Sequence, residues 1–408
     1  MRHQNGKSVI LRNARLVLPE HIVESSGLLI EDGRIAQILD SSSAQSGKTD
    51  SVIDLDGHTL FPGFIDVHIH GATGVDTMAA SADDLCRVSE FLAQKGVTAW
   101  LPTLVPASDE QYDQSIRAIE LAVAQTSVCG EFDEADHRLK SVPLARVLGV
   151  HYEGPFVNSE QCGALHREHF RTFKNSADLD SLPAITQESA IHLMTLAPEI
   201  DGGIDLIKEL RRRGWIVSIG HTRAAFEVLD EALRAGARHM THFMNAMPPL
   251  HHRAPGPVGW GLIHDEVTCD LIADGMHLDP SILKLILRNK TAARVSLISD
   301  AVAPTGLGDG EYQIWGETIR VENGRTQNAR GSIAGSVITM LDAVRMMLSL
   351  GVSESDVARM ASLNPARLLG IDNDCGSIQE GKRADLVALD RDGKVRMTII
   401  GGLPENEK

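Results

Sequence analysis

The middle of the chain alternates short β-rich apolar runs with amphipathic stretches of helical period, the pattern of a parallel α/β fold. The predicted strands are Phe64 to His70, Val97 to Thr103, Arg146 to Glu153, Ile191 to Pro198, Trp215 to His221, Arg238 to His242, Val267 to Ala273 and Val295 to Asp300. Helical patterns at Ala82 to Gln94, Gln111 to Ala124, Ile204 to Arg213, Arg223 to Ala235 and Pro280 to Arg288 separate several of them. Eight such units close a (β/α)8 TIM-like barrel. The chain ends read differently. Val9 to Val17 alternates, Gly27 to Ile30 runs into the turn Glu31-Asp32-Gly33-Arg34, Ile35 to Leu39 follows, and Val52 begins another strand. Ala384 to Leu389 and Val395 to Ile400 are also strand-like. Both ends are expected to pair into one small β-sandwich domain, residues 1–60 and 379–408, with the barrel over 61–378 inserted between them.

Polar stretches mark the connections. Ser41 to Ser51 is expected to be a loop. Two longer interruptions, Pro155 to Ser189 after the third strand and Pro304 to Gly335 after the eighth, are candidate lids, since loops following barrel strands cover the active-site face. The second holds a predicted hairpin over Tyr312 to Val321.

At 408 residues and 43% hydrophobic, the chain is long enough for a barrel plus a smaller domain. Its formal charge of −16 disfavours nucleic acid and anionic membranes, so an anionic substrate needs a local cluster of Arg and His. No apolar stretch reaches the roughly 18 residues of a membrane span, and Met1 to Lys7 lacks the apolar region of a signal peptide. Cys86, Cys129, Cys162, Cys269 and Cys375 are odd in number and scattered. They read as reduced thiols of a cytoplasmic protein, with Cys269 in the core.

The ends of the predicted strands carry the chemistry. The first ends in His68-Ile69-His70, whose imidazoles share one face of a strand. The third ends in Glu153, the fifth in His221, the sixth in His242 and the eighth in Asp300. One H-x-H is weak evidence of a site. Four imidazoles and two carboxylates at the ends of apolar runs are not, because buried ionisable groups need a partner. A divalent ion is that partner. Imidazole and carboxylate without thiolate suit zinc first, with iron, manganese or cobalt as alternatives. One or two ions per subunit are expected, one place being His68, His70, Glu153 and Asp300 and the other Glu153, His221 and His242, with Glu153 as the bridge where both are filled. Asp300 is then the general base, and later the acid, for a metal-activated water. His151, one layer deeper than Glu153, is expected to support the ligands. His239 is expected to face away. His3, His21, His58, His137, His192 and His264 carry no signal beyond surface or packing.

These residues resemble the amidohydrolase superfamily and, within it, the N-acetylglucosamine-6-phosphate deacetylase family. The resemblance spans nearly the whole chain. It rests on Pro62 to Gly71, His151-Tyr152-Glu153-Gly154-Pro155-Phe156, Gly220-His221-Thr222, Thr241 to Pro248, Ala273-Asp274-Gly275-Met276-His277, Ser299-Asp300-Ala301 and the tail from Asn364-Pro365-Ala366-Arg367 to Leu386. E-G-P-F and H-x-x-N-A-M-P are its specific segments. It implies hydrolysis of the acetamide of N-acetyl-D-glucosamine 6-phosphate, with Glu153, His221 and His242 as the metal site and Asp300 as the catalytic aspartate. It implies His277 on the amide carbonyl, Asn245 and the Ala246 backbone on the phosphate, and Arg253 reaching the phosphate in the neighbouring subunit of a homodimer. The family's usual Gly-Ala-His reads Gly163-Ala164-Leu165-His166 here, which implies His166 as substitute substrate contact. The alternatives left open are the galacto epimer and another amide hydrolase of the superfamily. Against the cyclic-amide enzymes, no lysine lies in Ile191 to Glu199.

Overall fold

The computed structural model describes residues 8–46, 49, 51–127, 132–133, 138–139 and 143–404. Eight parallel strands form the barrel: β1 (Phe64–Ile69), β2 (Val97–Leu104), β3 (Gly149–Glu153, preceded by Arg146–Val147), β4 (Ile191–Leu196), β5 (Ile216–Ile219), β6 (His239–Met240), β7 (Thr268–Ile272) and β8 (Val295–Ile298). Each pairs with the next in order. The seam between β8 and β1 closes just past the strands, where Asp300 N donates to His68 O at 3.0 Å and His70 N to Ala301 O at 2.8 Å.

The first two strands are buried on both faces. Phe64–Ile69 and Val97–Leu104 have no exposed residue, as expected of parallel strands covered on both faces. Helices Ala82–Ala93, Asp109–Ser127, Gly203–Arg212, Phe226–Ala235 and Pro280–Lys290 lie where the periodicity places them, within a few residues at each end. The first starts on a capping box in which Ser81 and Asp84 satisfy each other's backbone N–H.

Both chain ends build one further sheet of eight strands, from Ser8–Val17 through Thr59–Pro62 to Leu386–Leu389, Val395–Ile400 and Leu403–Pro404. It folds over a core shared by Leu11, Leu16, Leu28, Ile35, Leu386 and Ile399. Asp385 ties it to the barrel: the carboxylate accepts from Arg146 at 2.9 Å, from Arg383 and from the Gly401 N–H.

One expectation is corrected and one is extended. Ser41 to Ser51 is not a loop throughout, since Ser41–Ser46 is a short helix whose Ala44 packs on Ile10 and Leu39, and Ser51 opens a strand. Asp40 starts this turn by accepting from Ser42 and Ser43, a capping signal that the serine run obscured. The predicted hairpin after β8 is present, Gly310–Ile314 against Glu317–Glu322, and Arg325–Gln327 adds a third strand to it; the sheet is seated on Val302, Ala303 and Ala334. No helix among the described residues is long and apolar enough to cross a membrane. Cys86, Cys162, Cys269 and Cys375 are free thiols, and Cys129, like His3 and His137, lies outside the described residues. Burial pushes the Cys269 thiol up to about 12, so it is an inert core residue.

Candidate metal centre at the carboxyl ends of the strands

Of the expected ligands only His68 and Glu153 lie within strands. His70, His221, His242 and Asp300 sit in the turns just beyond β1, β5, β6 and β8. Three of these take left-handed backbone, with φ of 47° at His221, 31° at His242 and 51° at Asp300. A non-glycine residue held there costs of order 1 kcal/mol or more, and such strain persists where surrounding structure fixes it. Gly220 is required beside His221, because a Cβ there would stand 2.5 Å from Thr195 Cγ2.

These turns bring the six side chains together. Glu153 is central. His221 Nε2 lies 2.8 Å and His242 Nε2 3.0 Å from its Oε1. On the other side His68 Nε2 is 3.6 Å from Oε1, and His70 Nε2 is 3.3 Å from Oε2. Asp300 Oδ1 approaches His68 at 3.4 Å and His70 at 3.3 Å. The donor atoms of His68, His70 and Glu153 lie within 4.8 Å of one another, as do those of Glu153, His221 and His242. All six residues are buried.

The donor set fits a cation. His221 Nδ1 is 2.8 Å from the Gln161 carbonyl, which only accepts, so Nδ1 carries the proton. The Nε2 lone pair of the neutral ring then points at Glu153 Oε1 and, 3.1 Å away, at His242 Nε2. His221 Nε2 and Glu153 Oε1 are then two acceptors 2.8 Å apart, which repel unless positive charge lies between them. His68 Nε2 and His70 Nε2 face each other at 3.1 Å on the other side of Glu153. Without an ion the site draws in protons instead. Burial opposes charge on His70, yet its bonds to Asp300 and Glu153 outweigh that and raise it to about 10. Burial likewise works against Glu153 and Asp300, but the surrounding imidazoles hold both well below the usual carboxylate range.

A buried polar layer supports this cluster. The His151 ring lies 4.6 Å from that of His68, edge to face. Its Nδ1–H goes to the Val67 carbonyl at 2.8 Å, so Nε2 accepts from Thr195 at 2.7 Å. Thr241 and Ser218 continue the chain. This places His151 where a supporting residue belongs. His239 faces Thr268 and Asp270 at the opposite end of its strand.

The remaining expected site residues are less concentrated. His277 follows β7, with Nδ1 2.6 Å from Asp274 Oδ2. Burial disfavours the Asp274 charge, but the bond from His277 overrides it and keeps the carboxyl below its ordinary range. Asn245 and Ala246 lie in the turn after His242, and Asn245 Nδ2 is buried with no partner among the described residues. Ala246 has φ of 51°. Its neighbour across the cleft is Gly163, which also borders His221. Arg253 is exposed, and its Nη1 donates to His252 Nε2 at 2.6 Å. His166 bonds Glu168 at 3.2 Å and lies 3.7 Å from Glu317 of the three-stranded insert, while Leu165 is buried.

Sequence reasoning missed the residues that hold the loops. Glu199 after β4 accepts from Asn158, Thr222 and the Arg223 N–H, joining three strand-end loops. Asp66 accepts from Ser299 across the barrel seam, next to Asp300. Asp274 had a signal, the D-G-M-H spacing that puts its carboxylate one turn from His277. Glu199 and Asp66 had none.

Residues 59–403 match the amidohydrolase family. An N-acetylglucosamine-6-phosphate deacetylase of Bacillus subtilis (strain 168) is 34% identical over 401 residues, covering 97% of each chain. An N-acetylgalactosamine-6-phosphate deacetylase of Escherichia coli O157:H7 is 36% identical over 394 residues, covering 96% of this chain and 98% of that one. Among solved structures, the N-acetylglucosamine-6-phosphate deacetylase of Pasteurella multocida superposes with a TM-score of 0.86 at 28% identity, covering 98% of this chain and 100% of that one.

Proposed function

We propose, for a chain that belongs to the amidohydrolase family and within it to the N-acetylglucosamine-6-phosphate deacetylases, hydrolysis of N-acetyl-D-glucosamine 6-phosphate to D-glucosamine 6-phosphate and acetate. The observation that carries this reading is Glu153 set between two pairs of histidines with Asp300 beside them, in a chain that matches deacetylases along nearly its whole length.

Glu153, His221 and His242 would hold one divalent ion, and His68 and His70 with Glu153 and Asp300 a second, zinc being the ion that this donor set suits best. A bound ion supplies a Lewis-acidic charge that polarises the amide carbonyl and makes water nucleophilic near neutral pH. Asp300, ionised and at the rim of the cluster, takes a proton from the attacking water and returns it to the departing sugar nitrogen. His277 is the second catalytic group. The 2.6 Å contact of its Nδ1 with Asp274 would fix the ring for its role at the carbonyl oxygen.

Asn245 and the Ala246 N–H would take the phosphate, and His166 a sugar hydroxyl. The buried and unpartnered amide of Asn245 supports the first assignment, since such a donor is costly unless a ligand completes it. Arg253 would reach the phosphate of a partner subunit in a homodimer. Its exposure in a single chain, with no carboxylate partner among the described residues, supports that role. Arg253→Ala is expected to raise KM for the phosphorylated sugar by about tenfold or more with kcat nearly kept, as one lost charge-assisted phosphate contact requires. An equal rise for unphosphorylated N-acetylglucosamine, measured by the same amine assay, would remove Arg253 from the phosphate.

The gluco reading is tested by amine release from the gluco and galacto 6-phosphates side by side, before and after chelation. A higher kcat/KM for the gluco epimer, abolished by chelator and restored by zinc, is expected. Preference for the galacto epimer would change the sugar and keep the chemistry; no amine from either would discard the reading.

A further inference from the structure

A second cavity, of about 310 Å3, opens at the other end of the barrel, between the amino ends of β5 to β8 and the last helix, Asn364–Leu369. Arg211, Arg238, Arg294 and Arg367 line it against a single acid, Glu266. This is unusual in a chain of net charge −16. Several other arginines meet carboxylates closely, as Arg12 does Asp54 at 3.0 Å, Arg34 does Asp374 at 2.7 Å, Arg146 does Asp385 at 2.9 Å and Arg171 does Asp109 at 2.6 Å. Among the described residues Arg211, Arg238 and Arg294 have no such partner, and Arg367 reaches Asp372 only at 3.9 Å. Guanidinium groups gathered around one concave space repel one another unless an anion enters it.

A second observation points the same way. Ser296, at the start of β8, lines this cavity while only 2% exposed, and its hydroxyl makes no hydrogen bond within the described residues. Arg211 spends one donor on the Trp215 carbonyl at 2.9 Å, which leaves its charge without a carboxylate. A nearly buried O–H donor in a cavity lined by guanidinium groups with no close carboxylate is the complement of a tetrahedral oxyanion. The volume is that of a small-molecule site.

We propose that this cavity binds a phosphate group, either as inorganic phosphate or as the phosphomonoester of a small metabolite. It is separate from the deacetylase centre, since the residues that line it begin the same strands whose opposite ends lead to His221, His242 and Asp300.

The test is calorimetric titration of the metal-replete, full-length protein with inorganic phosphate in one arm and glucose 6-phosphate, which lacks the acetamide, in the other. The arm with the tighter saturable binding identifies the source of the phosphate. Arg238→Ala combined with Arg294→Ala is expected to weaken that binding at least about tenfold, as is normal when charge-assisted contacts are removed. Deacetylation of the sugar phosphate by the same variant should change by less than about twofold. Ser296→Ala, a smaller change that keeps the charge, should weaken binding by a lesser factor. Unchanged binding in the double variant overturns the proposal. So does binding that is lost in Arg253→Ala and kept in the double variant, because it then belongs to the substrate site. The readout is binding, so failure of the deacetylase reading would appear separately, as absence of amine release.

Discussion

Asp300→Asn is expected to lower kcat by about three orders of magnitude, the range of a lost general acid–base, while leaving the fold and the metal content intact. The substitution keeps size and shape. It also keeps an oxygen that can sit where Oδ1 now approaches His68 at 3.4 Å and His70 at 3.3 Å. What it removes is the ability to take and return a proton. The backbone is not at risk, because Asp300 already has φ of 51°, a region that asparagine tolerates at least as well as aspartate. Its N–H to His68 O and its carbonyl to Ser336 N are also untouched. Metal analysis and turnover on one preparation decide the matter. Turnover near that of the parent with metal retained would transfer the base role elsewhere, whereas loss of metal and turnover together would make Asp300 a ligand first.

The strand pattern was legible because parallel strands buried on both faces are nearly continuous apolar runs, and every predicted barrel strand has its counterpart. The site was legible for a less direct reason. Reading each expected ligand as the last residue of a strand picked residues that the structure brings together, but His221, His242 and Asp300 sit in left-handed turns, outside strand alternation. Hydropathy carries no trace of such turns, so the predicted strands ran too long at their carboxyl ends. Ser41–Ser46 was hidden in the same way, since serine favours loop and cap alike and only Ala44 marks the buried side. The partners of the ligands were illegible altogether. Glu199 binds two other loops that are far from it in sequence, and the arginines of the opposite cavity come from four separate segments.

Glu153→Gln should have the larger consequence, because Glu153 is the only residue common to both donor groups. Its oxygens face His221 and His242 on one side and His68 and His70 on the other. Glutamine halves the acceptor capacity and removes the charge that offsets a cation, so both ions should be lost and amine release should fall by about four orders of magnitude or below detection. Stability distinguishes this from a simple catalytic defect. An ion that binds only the folded chain stabilises it by about 4 kcal/mol at a free concentration of a thousand times Kd. The parent's melting temperature should therefore drop on chelation and recover with zinc, whereas that of Glu153→Gln should not respond to either. Asp300→Asn, with its metal retained, should respond as the parent does. A full metal complement in Glu153→Gln, or a chelator-sensitive melt, would mean that the histidines suffice and that Glu153 is not the bridge.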